Sequence, residues 1–180
     1  EEGGQLLVER HVMANDDRHR RRHRLLEIAR GQGGLQLLLA LRGGDEDEAR
    51  RARAVQARWD AVRFATGVHP HSAGTFAGKT AESAAVTRGH ARAFNVCAIG
   101  EIGLDYHYDF APRDVQREVF ASQIAVALEL DLPIVIHTRE ATDDTFAILE
   151  AHRGIRGVFH CFTGDTAMAR RALDIDFHLS

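Results

Sequence analysis

The chain has 180 residues, of which 44% are hydrophobic and 27% are charged, values typical of a globular protein with its own core. Its net charge of -3 provides no global positive field, so any contact with nucleic acid must come from a local patch. No apolar stretch reaches the roughly 18 residues of a membrane span. Cys97 and Cys161 lie within apolar runs, which predicts small buried residues in a reducing, cytoplasmic compartment and no disulfide framework.

The first part of the chain gives weak signals. Residues 6–8 form a poor strand candidate, because Glu9 and Arg10 interrupt its apolar run. Residues 16–24 (DDRHRRRHR) contain five arginines and two histidines. This cluster is either the solvated face of a helix or a patch that binds phosphate, since arginine pairs well with phosphate oxygens.

From residue 35 onward, strand-like and helix-like segments alternate. The predicted strands are 35–41, 63–68, 96–102, 132–137, 158–160 and 176–180, and the predicted helices are one beginning at Asp45 and those at 80–94, 112–130, 142–152 and 166–173. Asp165 is expected to cap the last helix. Such alternation predicts βαβ units and a parallel sheet, hence an α/β fold. The strands are fewer than the eight of a closed (β/α) barrel.

Three strand candidates each deliver a polar residue at the carboxyl end: Glu101, His137 and His160. The carboxyl ends of parallel strands meet on one face of an α/β barrel, where active sites are built. A carboxylate and two imidazoles on that face predict a metal site or an acid/base site.

Four motifs follow one another in the sequence: GVHPH at 67–71, IGEIGLDY at 99–106, PIVIHTR at 133–139 and HCFTG at 160–164. In type and order they resemble the motifs of the TatD family of metal-dependent deoxyribonucleases. The resemblance implies a TIM barrel of the amidohydrolase type, a divalent-metal site and hydrolysis of DNA phosphodiesters, chiefly in single strands.

The resemblance also implies roles for individual residues. Glu101 matches the carboxylate that bridges two metals, and His137 and His160 match the imidazole ligands of one of them. Carboxylate and imidazole suit first-row ions, and the expected cofactor is Mg²⁺, Mn²⁺ or Zn²⁺. Glu101 and Arg139 are therefore the predicted catalytic residues, with Arg139 placed to contact a phosphate.

His69 and His71 match a His-Pro-His turn beside the family's pocket, where they are expected to bind substrate. The alternative is that the two histidines only stabilise the turn. Asp105 and Tyr106 follow Glu101 closely enough to face the site.

Two departures from the family pattern stand out. The family begins with a strand that ends in a His-x-His pair, whereas residues 9–13 contain His11 alone. A late Thr-Asp-Ser-Pro segment, whose aspartate is a metal ligand, would come after Ser180. We therefore expect residues 1–180 to form a single TatD-like domain. It would be a partial TIM barrel with an atypical first strand and without its last strands, and its open sheet edges would favour association.

Three functions compete. The first is a metal-dependent hydrolase that cleaves DNA. The second is a catalytically impaired remnant that binds metal or a partner without hydrolysis, and the missing ligands favour it. The third is an amidohydrolase acting on a small C–N or ester substrate, against which the HCFTG and GEIGLDY segments argue. Whether this chain is an active enzyme is left open by the sequence.

Overall fold

A computed structural model describes residues 25–31, 34–42, 50, 53–55, 57–59 and 62–180. Its strands form one sheet whose spatial order equals the sequence order. They are β1 (Leu25–Gly31), β2 (Gly34–Arg42), β3 (Val62–Gly67), β4 (Ala98–Asp105), β5 (Ile134–Arg139), β6 (Gly157–Phe159) and β7 (Phe177–Leu179). From β2 to β7 every neighbouring pair is parallel, whereas β1 pairs antiparallel with β2.

Helices follow the parallel strands. They are a 3-10 helix (Pro70–Phe76), α1 (Thr80–Phe94), α2 (Arg113–Glu129), α3 (Thr142–Ala151) and α4 (Thr166–Asp174). The α/β class and the partial barrel of parallel strands are thus confirmed. None of the helices in the described part of the chain is long and apolar enough to cross a membrane.

Three differences from the predicted elements matter. Strand β1 was not predicted, although Gly31, Gly33 and Gly34 between two apolar runs are a hairpin signal. The strand at 6–8, the arginine cluster at 16–24 and the helix start at Asp45 lie outside the described residues. Strand β4 extends three residues beyond its predicted end at 102, so it carries Asp105 within the sheet.

The core lies on both faces of the parallel strands. All eight residues of β4 are buried, as expected for a strand covered by helices on one side and by the barrel interior on the other. The largest fully buried side chains are Phe64, Phe120, Phe146, Phe159, Phe177, Ile99, Ile102, Leu104, Ile124 and Ile134. Each contributes about 1.5–3 kcal/mol by leaving water, which fixes the strand ends that carry polar groups.

Cys97 corrects one prediction. Its side chain is exposed, not buried, because it precedes the first residue of β4 and lies at the amino end of the strand, where its backbone N–H donates to the carbonyl of Phe64 at 2.8 Å. Cys161 is half-buried. Asp165, by contrast, caps α4 as predicted, accepting from the backbone N–H of Met168 at 2.8 Å.

Candidate metal centre

The site begins with Glu101 and His137 on the neighbouring strands β4 and β5. The pairing of these strands shifts register between Gly100 and Ile102, and such a bulge re-aims the side chain it contains. Glu101 is 5% exposed, and its Oε1 lies 3.1 Å from Nδ1 of His137. A buried carboxylate in contact with an imidazole is thus built into the sheet.

Glycine at position 103 allows the two strands to approach. Its φ of +138° is disfavoured for any residue with a side chain, and a Cβ there would collide with the carbonyl oxygen of His137. Gly103 therefore permits the close contact between β4 and β5 that places His137 beside Glu101.

Asp105 is the hydrogen-bonding centre of the site and is 1% exposed. Its Oδ2 lies 2.8 Å from Nε2 of His71 and 2.8 Å from Nε2 of His137. Its Oδ1 accepts from the backbone N–H groups of His107 and Tyr108 at 3.1 and 3.0 Å. Burial opposes ionisation, but the Tyr108 amide and the two rings outweigh it and hold the pKa of Asp105 well below its usual range.

His137 thus lies between two carboxylates, with Glu101 at one ring nitrogen and Asp105 at the other. Burial lowers the pKa of the imidazole, but the hydrogen bonds and charges of both carboxylates prevail, so the pKa of His137 is raised. In the absence of a cation, the ring is therefore stabilised in its protonated form.

His69 and His71 lie in the turn after β3. Nδ1 of His69 accepts from the backbone N–H of His71 at 3.2 Å and caps the 3-10 helix. The same ring lies 4.7 Å from the ring of His137, centroid to centroid. The two histidines therefore stabilise the turn and lie beside the carboxylate cluster, whereas their binding of substrate stays a prediction.

Two groups of ligand atoms result. His69, Glu101 and His137 form one group, and His71, Asp105 and His137 form the other, each with its atoms within 4.8 Å of one another. Carboxylate oxygens and imidazole nitrogens are the donors that Zn²⁺ and other divalent first-row ions accept. The donor set therefore fits a divalent cation, and His137 belongs to both groups.

Two buried glutamines of α2 fix the backbone that carries these side chains. Gln116 accepts from the N–H of Asp105 at 2.8 Å and donates to its carbonyl at 3.1 Å. Gln123 does the same for Val68, next to His69, at 2.6 and 3.1 Å. Neither glutamine was predicted to belong to the site. The available signal was two glutamines seven positions apart, on one face of a helix that otherwise buries apolar side chains.

His160 lies at the end of β6, and its backbone N–H donates to the carbonyl of Ile136 at 2.9 Å. Its Nε2 lies 3.2 Å from Sγ of Cys161. Among the described residues, neither ligand group includes it. His160 and Arg139 instead line a cavity of about 290 Å³ together with Thr138, Phe159, Phe162 and Thr163.

The hydroxyl of Tyr106 forms hydrogen bonds with side chains of two helices. Its hydroxyl donates to Oδ2 of Asp144, the carboxylate in the first turn of α3, at 2.5 Å and accepts from Arg117 of α2 at 3.3 Å. Desolvation and the Asp144 carboxylate raise the pKa of this phenol. The hydroxyl of Tyr106 thus joins α2 to α3 beside the site.

Known proteins resemble this chain in sequence and in fold. The model of a family described as TatD related DNase matches residues 9–180. The "uncharacterized metal-dependent hydrolase YabD" of Bacillus subtilis is 41% identical over 140 residues, which are 77% of this chain and 54% of the relative. The "3'-5' ssDNA/RNA exonuclease TatD" of Cronobacter sakazakii is 34% identical over 154 residues, or 84% of this chain and 57% of the relative.

The crystal structure of YJJV, a TatD homolog from Escherichia coli, superposes with a TM-score of 0.64 at 24% identity, over 78% of this chain and 54% of that one. At this identity the superposition establishes the fold alone. The chain spans about half the length of the curated relatives it matches.

Proposed function

Because this chain belongs to the TatD related DNase family, we propose that it acts as a metal-dependent hydrolase on the phosphodiester bonds of DNA, with single strands as substrate. The observation that carries the proposal is the convergence of His69, Glu101 and His137, whose ligand atoms lie within 4.8 Å of one another. Two relatives support the proposal: one is named a metal-dependent hydrolase, which matches the reaction, and the other a 3'-5' ssDNA/RNA exonuclease, which matches the substrate class.

The proposed cation is Mg²⁺, Mn²⁺ or Zn²⁺, because carboxylate oxygens and imidazole nitrogens bind these ions, although with different affinities. His69, Glu101 and His137 would hold one ion, and Asp105 with His71 offers a further carboxylate and imidazole. His160 stays a predicted ligand that rests on the family resemblance. When bound, the cation supplies Lewis-acid polarisation of a phosphoryl oxygen and lowers the pKa of water.

The chain's own residues would then position the reacting groups. Asp105 accepts from one nitrogen of His137 and so orients the ring whose other nitrogen faces Glu101. Arg139 is exposed at the rim of the cavity, where its guanidinium would pair with a substrate phosphate. Burial of Glu101 and Asp105 keeps water from competing for their oxygens.

The second candidate function is an impaired remnant that binds a cation or a partner without hydrolysis. The observation that favours it is the absence of a His-x-His pair from residues 9–13, which read Glu-Arg-His-Val-Met. A chain of this kind would still bind a cation through the groups on β4 and β5.

Hydrolysis of a 3'-labelled single-stranded oligonucleotide with added Mg²⁺, Mn²⁺ or Zn²⁺ tests the proposal. We expect metal-dependent cleavage that a chelator stops and that Glu101→Gln abolishes. Glu150→Gln is the matched control, because this exposed carboxylate pairs with Arg171 on the surface. Cation binding without cleavage would support the remnant, and cleavage that survives both chelator and Glu101→Gln would contradict the assignment.

We also propose that residues 1–180 form a single domain, that the protein is cytoplasmic, and that copies of it associate through open sheet edges. Within the described sheet, β1 pairs with β2 alone and β7 with β6 alone, and unpaired edges invite pairing with another chain. Sedimentation velocity of the purified chain tests the last proposal, and a monomer at all concentrations would contradict it.

A further inference from the structure

Two aromatic side chains stand exposed in the segment between β4 and α2. Tyr108 is 47% and Phe110 is 65% exposed. Their rings are stacked, with 5.4 Å between centroids and an interplanar angle of 4°. Exposed aromatic rings that lie parallel offer a flat apolar face to solvent, and such rings are the means by which proteins stack unpaired bases.

The pair is fixed beside the candidate metal centre. The backbone N–H of Tyr108 donates to Oδ1 of Asp105 at 3.0 Å. The Nε2 of His71 contacts the other oxygen of Asp105, and its ring is nearly perpendicular to both aromatic rings, at 5.5 Å from Tyr108 and 4.8 Å from Phe110 between centroids. One histidine therefore contacts the stacked rings and the carboxylate cluster at once.

A positive charge adjoins the stacked rings. The guanidinium carbon of Arg139 lies 4.8 Å from the centroid of the Tyr108 ring. Arg139 is exposed and forms no ion pair with any acidic residue in the described part of the chain. A guanidinium that lies over the ring and has no acidic partner there complements a phosphate that adjoins a stacked base.

We propose that Tyr108 and Phe110 form a stacking platform for an unpaired base of a single-stranded nucleic acid, with Arg139 bound to an adjoining phosphate. The proposal deepens the proposed function and rests on it for the nature of the ligand. A base inside a duplex has both faces covered by its neighbours, so the platform favours single strands. Because every base has a π-face, the platform gives little preference among bases.

The test is equilibrium binding of the full chain to fluorescein-labelled oligothymidylate, measured by anisotropy in the presence of a chelator so that no hydrolysis occurs. We expect Phe110→Ala to weaken binding by roughly 5- to 150-fold, the range for loss of one stacked base. Phe110→Trp should bind as well as the wild type. Leu173→Ala is the matched control, since Leu173 is 57% exposed and lies in the last turn of α4.

A second measurement separates stacking from general loss of affinity. An oligonucleotide carrying 2-aminopurine near its 3' end should lose fluorescence on binding to the wild type and to Phe110→Trp, but not to Phe110→Ala. An oligonucleotide with an abasic residue at the same position should bind wild type and Phe110→Ala equally. Circular dichroism checks that each variant is folded.

The outcomes are distinguishable from those of the hydrolysis assay. Unchanged binding by Phe110→Ala, or no binding by the wild type, would overturn the platform even if cleavage is metal-dependent and requires Glu101. Phe110-dependent binding and quenching would establish the platform even if no cleavage is detected in any metal.

Discussion

The carboxyl ends of β4 and β5 differ sharply from the carboxyl end of β6. At the first place, Glu101, Asp105 and His137 are linked by hydrogen bonds of 2.8–3.1 Å, and Gln116 clamps the backbone of Asp105. At the second place, His160 lines a cavity of about 290 Å³ and its Nε2 meets the thiol of Cys161. The first set of donors supplies the two ligand groups, whereas His160 forms part of a cavity wall.

The difference teaches how a site gains fixed geometry. A donor atom is held to within a few tenths of an ångström only when a second layer of hydrogen bonds fixes its ring or carboxylate. If these hydrogen bonds fix the site, substitutions at the β4–β5 end should affect cation binding and stability more than substitutions near β6.

Removal of His137 should be the most damaging change. His137 belongs to both ligand groups, so His137→Ala should weaken binding of Mn²⁺ or Zn²⁺ by about 100-fold or more, whereas His160→Ala should weaken it by less than about 10-fold. Isothermal titration calorimetry measures both affinities, with the exposed His178→Ala as control. Equal losses for the two variants would show that the β6 end is as important as the β4–β5 end.

Substitution of the buried Gln116 by leucine should destabilise the fold by about 2–3 kcal/mol, since it leaves the N–H and the carbonyl of Asp105 buried without partners. Glu118→Leu, on the exposed face of the same helix, should change stability by less than about 0.5 kcal/mol. Urea denaturation measures both. A Gln116→Leu variant as stable as Glu118→Leu would show that the clamp has no energetic role.

Without a cation, stability should depend on pH in two directions. The pKa of Asp105 is lowered by folding, so its contribution is present above the unfolded value of about 3.9 and is lost as pH falls. The pKa of His137 is raised, so its contribution is present below about 6.5 and is lost as pH rises through the folded pKa.

The chelated chain should therefore be most stable between about pH 4 and pH 6.5 with respect to these two groups. Urea midpoints measured from pH 4 to pH 9 test this, and His137→Gln should remove the loss on the alkaline side while His178→Gln should not. A wild-type midpoint that rises steadily to pH 9 would contradict the ion-pair assignment.

The smallest expected effect concerns α4, which begins just after the cavity-lining residues 160–164. Asp165→Ala removes the N-cap bond to Met168 and should cost about 1 kcal/mol. Hydrogen exchange should quicken at the first amides of α4 and not at Asp105 or Tyr108. Faster exchange at both places would show that the two ends of the sheet open together.

Much of the fold could be predicted because buried parallel strands have a strong pattern: the apolar runs before His137 and His160 and the alternation with helices are local signals. Strand β1 was not predicted because Glu27 and Arg30 interrupt its apolar run, and its strand character depends on antiparallel pairing with β2. The end of β4 was missed because GEIGLDY contains two charged residues that only the completed sheet buries.

The candidate site was less predictable. Glu101 and His137 could be singled out as strand-end residues, and the structure brings them together. The central position of Asp105 depends on where β4 ends and on the hydrogen bonds from Gln116 of α2 to its backbone. Neither can be predicted from one segment of the sequence alone. Gln116 and Gln123 act across more than ten and more than fifty residues of sequence respectively, so only the tertiary contact reveals their role.

The two oxygens of Asp105 serve different neighbours, and this has a thermodynamic consequence. Oδ2 meets the rings of His71 and His137, while Oδ1 accepts from the amides that carry Tyr108. A cation that draws either ring away from Oδ2 must also shift the balance of forces on the Tyr108 segment. Cation and single-stranded nucleic acid would then be coupled ligands, and by reciprocity each would change the affinity of the other by the same factor.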